Sequence, residues 1–322
     1  MEVCSAQSRV LPWVDEWRTP DACAQSPGIR DARTTAGGSA LACNHTMVWD
    51  IDRVIVRIGP VALRWYSLLF ALGFLVGYFI VKRIFEKEGR DARIVDSLLV
   101  YLVVATIVGA RLGQVFFYEP VEYLTHPLEI LKVWEGGLAS HGGFAAVLIA
   151  LVLFCRKHRD ISFFWLGDRL SIPIMLAAGF IRIGNLFNSE IIGRTTSVAW
   201  AVVFEQVDAL PRHPTQIYES LGYFAASFIL YVWYRARAGK PREGRLLGMA
   251  MILGFGWRFV VEFFKENQEA FESALPLNMG QVLSIPFIVI GLFFAFGGQF
   301  KVPFLRAGLS TEARAERTEP PT

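Results

Sequence analysis

The sequence predicts an all-α integral membrane protein with seven transmembrane helices. Of its 322 residues, 53% are hydrophobic, and the mean hydropathy is +0.40, which is too apolar for a surface that faces water on all sides. Seven apolar stretches of about 20 residues each match the thickness of the hydrocarbon core of a bilayer. Basic residues are concentrated in alternate loops, as in multi-pass membrane proteins.

The chain divides into three predicted parts. Residues 1–46 are rich in Ala, Ser, Thr, Gly, Asp and Arg, without an apolar run long enough for a signal peptide, so we expect a disordered extension. Because Met47 opens "MVWDIDRVIVRIGPVALRWY" as a natural beginning would, we interpret the extension as an upstream start-site artefact or a dispensable tail. A mature chain that retains residues 1–46 would contradict this interpretation. The membrane domain is predicted over residues 47–300, and a cytoplasmic tail over residues 301–322.

The seven spans are separated by more polar loops, of which 182–215 is the longest. They are predicted at residues 62–82, 94–117, 139–156, 162–181, 216–234, 246–265 and 280–299. The fourth span is the least regular, because Asp168 and Arg169 interrupt its first half. These two adjacent side chains carry opposite charges, so we expect them to neutralise each other or to lie at the membrane interface.

The loops predict the orientation in the membrane. Seventeen Lys and Arg residues follow the first, third, fifth and seventh spans, whereas the alternate loops 118–138, 182–215 and 266–279 hold four. The positive-inside rule therefore places the C-terminus in the cytoplasm and residue 47 outside.

Motifs of several protein classes are absent from the sequence. It contains no HExxH, no Gly-x-Ser-x-Gly and no CxxC. Its four cysteines, Cys4, Cys23, Cys43 and Cys155, are interpreted as unpaired thiols. A net charge of +3 is too mild to indicate nucleic-acid binding. We therefore expect no metal, no cofactor and no nucleic acid.

Polar side chains cluster at the predicted outer boundary of the membrane. They are Tyr66, Arg111, His141, Arg182, Asn185, Asn188, Glu190, His213, Gln216, Arg258 and Glu262. Charges at membrane depth are costly and usually face a functional site. Arginine offers a planar, permanently charged fork for phosphate, so the cluster indicates binding of an anionic phospholipid.

Each of these residues also has a purely structural interpretation. Arg258 and Glu262 lie four residues apart and could neutralise each other on one helix face. Arg111 could extend to the interface along its own stem, and Tyr66 could belong to an aromatic belt. For the segment around His213, Thr215 could cap the fifth span, with Glu219 favourable in its first turn.

His141 and the segment after the fourth span are less easily explained by structure alone. His141 begins the third span between glycine pairs, where the helix dipole favours a neutral imidazole that can accept a proton. Arg182, Asn185, Asn188 and Glu190 fall within nine residues beside apolar neighbours. An interfacial pocket suits that pattern better than a solvated loop.

The segment "RIGNLFNSEIIG" resembles the signature of the prolipoprotein diacylglyceryl transferases, Gly-Arg-x-Gly/Ala-Asn-Phe-apolar-Asn-x-Glu-x-x-Gly. Its matching residues are Arg182, Gly184, Asn185, Asn188, Glu190 and Gly193. Ile181 and Leu186 depart from the signature, which affects local packing more than the polar groups. The blocks "RWYSLLF", "GARLG", "SHGGF", "RHPTQIYE" and "RFVVEFF" agree in order, so the resemblance covers residues 47–300.

The resemblance implies a seven-helix enzyme of the bacterial inner membrane whose active site faces the periplasm. Its reaction transfers the diacylglyceryl group of phosphatidylglycerol to the lipobox cysteine of a prolipoprotein signal peptide, and glycerol phosphate leaves. By this resemblance Arg182 and Arg258 hold the phosphate, and His141 or a basic environment deprotonates the thiol. The other implied site residues are Tyr66, Asn185, Asn188 and Glu190 around the headgroup, Glu262 orienting Arg258, and Gly193, Arg111, His213 and Gln216 in the lipid site.

A phospholipid transporter or flippase is the alternative that the polar cluster leaves open. Such folds commonly show inverted repeats and broken helices with a site at the midplane. The polar residues here gather instead at one face of the membrane. A seven-helix receptor would explain neither the signature nor the arginines, so the transferase is the favoured prediction.

Overall fold

The computed structural model describes residues 47–59, 61–132, 137–237, 242–267 and 276–298, and this part of the chain is mostly helical. The predicted extension over residues 1–46 and the predicted tail over residues 301–322 lie outside the described residues. The helices are α1 (Trp65–Lys87), α2 (Arg93–Phe117), α3 (Pro120–Thr125), α4 (Ser140–Lys157), α5 (Phe163–Phe187), α6 (Thr215–Ala236), α7 (Arg245–Val261) and α8 (Met279–Ala295). Each predicted span overlaps one of the seven long helices, and α3 belongs to the loop between the second and third spans.

Five helices in the described part of the chain are long and apolar enough to cross a membrane. They are α1, α2, α4, α5 and α7, the last extended by a 3-10 turn over Glu262–Phe264. Helix α8 is apolar but has 17 residues. Helix α6 has 22 residues but is less apolar, because Gln216, Glu219 and Ser220 occupy its first turns.

Helix α5 organises the packing. It lies against α1 and α6 along most of its length and also contacts α7 and α4, while α2 pairs with α4 and α7 pairs with α8. Near its start, Trp165, Leu166 and Leu170 join a core that includes the fully buried Phe85 and Phe154. This central position places both ends of α5 among charged side chains of neighbouring helices.

Asp168 and Arg169 do not mainly neutralise each other, which corrects the sequence-based expectation. Arg169 donates to both carboxylate oxygens of Glu88, at 3.1 and 2.9 Å, whereas its closest contact with Asp168 is 3.9 Å. Asp168 accepts the backbone N–H groups of Gly244 and Leu247, each at 2.9 Å. A carboxylate on α5 therefore caps the N-terminus of α7, and the buried charges are paired between helices.

Replacing Asp168 by Ala is expected to lower the free energy of unfolding by about 2 kcal/mol, because two buried N–H groups lose their acceptor. The midpoint of thermal unfolding in detergent measures this change. Asp50→Ala is the control, since Asp50 is exposed and no hydrogen bond or ion pair of its carboxylate is found within the described residues. Equal stability of Asp168→Ala and the unmodified protein would contradict the capping role.

The structure also contains two small β-sheets, so the all-α prediction was incomplete. Strand β1 (Met47–Trp49) pairs in parallel with β4 (Val202–Phe204), which pairs antiparallel with β5 (Pro211–Arg212). Strands β2 (Val54–Ile58) and β3 (Val61–Arg64) form a hairpin that runs directly into α1. Strands of two to five residues are too short to show a period of two against an apolar background.

Candidate active site

The C-terminal end of α5 and the loop after it bring four predicted site residues together. Arg182 Nη1 donates to Asn185 Oδ1 at 3.2 Å. The Nδ2 amides of Asn185 and Asn188 donate to Oε2 and Oε1 of Glu190, at 3.0 and 3.1 Å. Residues 182 and 185 share one helix face because they are three positions apart. The polar residues of this segment thus form one continuous hydrogen-bonded chain.

The backbone of this loop is strained and held from α6. Ser189 and Ile191 have φ values of 54° and 57°, a left-handed conformation that costs about 1–2 kcal/mol per non-glycine residue. Gln216 Nε2 donates to the Glu190 carbonyl at 2.6 Å, and Thr215 Oγ1 donates to the Ile191 carbonyl at 2.8 Å. The structure therefore places Gln216 as a support of the loop. Thr215 is the first residue of α6 and not its N-cap, which corrects the expected capping role.

Next to this loop lies a row of buried charged side chains that alternate in sign. Arg182 Nε lies 2.9 Å from Glu219 Oε2, and Glu219 Oε1 lies 3.1 Å from Lys265 Nζ. Lys265 Nζ also lies 2.9 Å from Glu262 Oε2. Glu219 is fully buried, and Lys265 is 1% exposed. The two cations and two carboxylates together carry no net charge, which makes their burial in a region of low dielectric less costly.

Arg258 has a different environment from the one predicted. Glu262, its expected partner, is bound to Lys265. Among the residues that the structure describes, no hydrogen bond or ion pair reaches the Arg258 guanidinium, which is half-buried. Tyr223 interacts electrostatically with both Arg258 and Arg182. A half-buried cation that has no counter-ion in the described part of the chain is unfavourable by itself and suits an anionic ligand.

Tyr66 lies on the first turn of α1, beside the same cluster. It is half-buried, and its ring packs so closely over Gly184 of α5 that a Cβ there would lie 2.8 Å from the ring. Tyr66 also interacts electrostatically with Glu190 and Arg182. The structure thus brings Tyr66 to the polar loop.

His141 and Arg111 lie on the neighbouring helix pair α2 and α4. His141 is exposed on the first turn of α4, and no hydrogen bond, ion pair or ring contact in the described ranges joins it to the Arg182 loop. Arg111 is buried and donates to the carbonyls of Ile130 at 2.9 Å and Gly137 at 3.1 Å, and to that of Glu129. Arg111 therefore holds Glu129, Ile130 and Gly137, which precede the helix of His141 in the chain.

Gly193 and His213 lie where three backbone segments meet. The Gly193 N–H donates to the His213 carbonyl at 3.1 Å, and Gly193 forms a bridge with Lys265. His213 Nδ1 lies 3.1 Å from the Tyr218 hydroxyl. Burial lowers the pKa of the His213 imidazole below its ordinary value, which favours the neutral ring. These contacts place both residues in the support of the loop.

Replacing Gly193 by Ala is expected to destabilise the protein by about 1–3 kcal/mol, as overpacking does. An added Cβ would lie 2.5 Å from the His213 carbonyl oxygen and 2.8 Å from that of Phe264, and neither backbone can move freely. Thermal unfolding in detergent is the measurement. Gly256→Ala is the matched control, because a Cβ at Gly256 meets nothing within 4 Å. Similar midpoints for both variants would refute the packing argument.

Three buried residues of the cluster were missed by sequence reasoning. Glu219 was considered only as a favourable acid in a first turn, and Tyr223 and Lys265 were not singled out. The spacing offered a signal, because Glu219 and Tyr223 are four residues apart on α6, and Glu262 and Lys265 are three apart after α7. The pairing of Lys265 with Glu219 depends on how α6 packs against α7, which no local pattern shows.

Comparison with known proteins gives one family. The family model described as prolipoprotein diacylglyceryl transferase matches residues 53–296. A phosphatidylglycerol–prolipoprotein diacylglyceryl transferase of Tolumonas auensis is 48% identical over 246 residues, covering 76% of this chain and 95% of the relative. Proteins of the same name from Chloroherpeton thalassium and Porphyromonas gingivalis are 47% and 41% identical, covering 77% and 76% of this chain and 92% of each relative. The chain therefore belongs to the prolipoprotein diacylglyceryl transferase family.

Proposed function

We propose that this protein transfers the sn-1,2-diacylglyceryl group of phosphatidylglycerol to the thiol of a lipobox cysteine in a prolipoprotein signal peptide. The observation that carries the proposal is the half-buried Arg258, whose guanidinium has no hydrogen bond or ion pair among the described residues, while Tyr223 interacts electrostatically with it and with Arg182. Such an arginine suits the phosphate of an anionic lipid. The relatives reported above are named for this activity, and none of these three is named as a flippase.

The reaction is a displacement at carbon. The thiolate attacks the glycerol carbon that bears the phosphate ester, a C–S bond forms, and the C–O bond breaks. The electron pair of that bond leaves with the oxygen, so the product is glycerol phosphate. The departing phosphate gains negative charge in the transition state, and fixed cations near it lower the barrier. In the proposed arrangement Arg258 and Arg182 supply that stabilisation.

The polar loop is proposed to hold the headgroup. The carboxylate of Glu190 is fixed by two amides, so it can accept hydrogen bonds from the headgroup glycerol in a defined position. Tyr66 and Asn188 lie beside it and complete this part of the proposed site. A pre-organised pocket of this kind orients the scissile bond without further ordering of the protein.

The proton of the thiol must leave before attack, because a free cysteine has a pKa of about 8.5 and is mostly protonated at neutral pH. We propose His141 as the base that accepts it, with a basic environment around the thiol as the alternative. The exposure of His141 on the first turn of α4 leaves it accessible to a peptide substrate.

The proposed topology has seven spans, with α6 and α8 added to the five helices that qualify by length and composition. The lower apolarity of α6 has a physical explanation, since Gln216, Glu219 and Tyr223 form a buried polar stripe facing the site. The charge of the loops supports a cytoplasmic C-terminus and a site at the periplasmic face of the inner membrane.

The test uses the purified full-length chain in detergent, phosphatidylglycerol and a peptide with a lipobox cysteine. Mass spectrometry is expected to detect the peptide with one added diacylglyceryl group. A peptide in which serine replaces that cysteine is the control and should stay unmodified. Absence of the adduct with folded protein, over a range of lipid and detergent concentrations, would refute the proposed activity.

A further inference from the structure

Lys265 connects the three chain segments that carry the polar cluster. Its side chain reaches Glu219 on α6 and Glu262 at the end of α7. Its backbone pairs with the loop after α5, through a bridge with Gly193 and a carbonyl that accepts Arg194 Nε at 2.9 Å. A displacement of Lys265 would therefore disturb all three segments together.

The two oxygens of Glu219 have separate partners. Oε1 accepts a hydrogen bond from Lys265 Nζ at 3.1 Å, and Oε2 forms an ion pair with Arg182 Nε at 2.9 Å without the geometry of a hydrogen bond. A carboxylate that faced Arg182 alone could rotate and offer either oxygen. Because the Lys265 ammonium holds Oε1, the carboxylate of Glu219 cannot rotate freely. The direction in which Oε2 faces Arg182 is therefore fixed.

A contribution to folding stability does not by itself explain why Lys265 is buried between two carboxylates. Buried ion pairs often contribute no more to stability than apolar side chains of similar volume, because each charge loses its hydration. Lys265 and Glu262 form a neutral pair by themselves, as do Arg182 and Glu219. Because Lys265 lies between both carboxylates, it links the two pairs. This link fixes the position of Glu219 relative to Glu262.

We propose that Lys265 is a positioning residue of the transfer reaction: it holds Glu219, and through Glu219 it holds the Arg182 guanidinium where charge develops on the departing phosphate. The inference rests on the proposed function above. Lys265 itself touches no substrate in this proposal, since its ammonium is bound by two carboxylates. Misplacement of a charged group by about 1 Å can cost up to a hundredfold in rate.

The sharpest test compares Glu262→Gln with Glu262→Gln/Lys265→Met. In the single variant the cluster carries one excess positive charge, and removing the lysine restores neutrality. A role in stability alone predicts that the double variant is folded and at least as active as the single one. The positioning role predicts that the kcat of the double variant is about tenfold or more below that of the single variant, with a much smaller change in KM for phosphatidylglycerol.

A second comparison uses single substitutions in the otherwise unchanged protein. Lys265→Arg keeps a cation between the carboxylates and is expected to retain clearly more kcat than Lys265→Met, with Lys157→Met as the control at an exposed lysine. Each rate is referred to the fraction of protein that elutes as a folded species. Equal kcat values for the Arg and Met variants, or for the two members of the Glu262→Gln pair, would overturn the proposal. Failure of the proposed function is distinct, because the unmodified protein would then form no adduct.

Discussion

Replacing Arg258 by Ala is expected to lower kcat/KM for diacylglyceryl transfer by about a hundredfold or more, the typical effect of losing one fixed donor to a developing charge. The loss should fall on the reaction and not on folding, because the guanidinium has no hydrogen bond or ion pair to lose among the described residues. Initial rates with phosphatidylglycerol and a lipobox peptide measure the effect.

The conservative variant Arg258→Lys separates charge from shape. A lysine keeps the cation but lacks the planar fork that donates two parallel hydrogen bonds to phosphate, so we expect an intermediate rate. Arg159→Ala, at an exposed arginine in the loop after α4, is the matched control. Transfer by Arg258→Ala at the rate of this control would remove Arg258 from the site.

Replacing His141 by Gln is expected to lower kcat by about a hundredfold or more at neutral pH, since a positioned general base contributes that much to a proton transfer. Glutamine retains a similar size and hydrogen-bonding capacity but cannot accept the proton. The remaining rate should then depend on spontaneous ionisation of the thiol, so it should rise with pH up to about 8.5, the pKa of a free cysteine.

The measurement is the pH–rate profile of kcat for the variant and the unmodified protein. The effect of the substitution should shrink at high pH, because the thiol ionises there without help. His126→Gln is the control, at an exposed histidine in the loop before α4. An unchanged profile in His141→Gln would assign deprotonation to the environment of the thiol or to another group.

The helices could be predicted from sequence because each depends on local composition. The stretches predicted at residues 94–117 and 139–156 agree with α2 and α4 to within one residue at each end. The strands could not be predicted, since β1 pairs with β4 far along the chain and neither segment has a pattern of its own. The partners of Asp168 and Arg169 were equally hidden, because they come from α7 and from the end of α1.

The candidate site was predictable where its residues are close in sequence. Arg182, Asn185, Asn188 and Glu190 lie within nine residues, and the structure joins them by hydrogen bonds. The partner of Glu262 was predicted as Arg258, because residues four apart face the same side of a helix. The chain leaves the α-helix at Glu262 and tightens into a 3-10 turn, and Glu262 bonds there to Lys265.

The hydrogen bonds and ion pairs at both ends of α5 fix the position of this helix along its own axis relative to the helices around it. Near its start Asp168 and Arg169 bind α7 and the end of α1, and near its end Arg182 binds α6. A shift of one turn along its axis would break all of these contacts together. Membranes of different thickness must therefore be matched by tilting of the outer helices or by stretching of the surrounding lipid, while the height of the arginine site relative to the protein core stays constant.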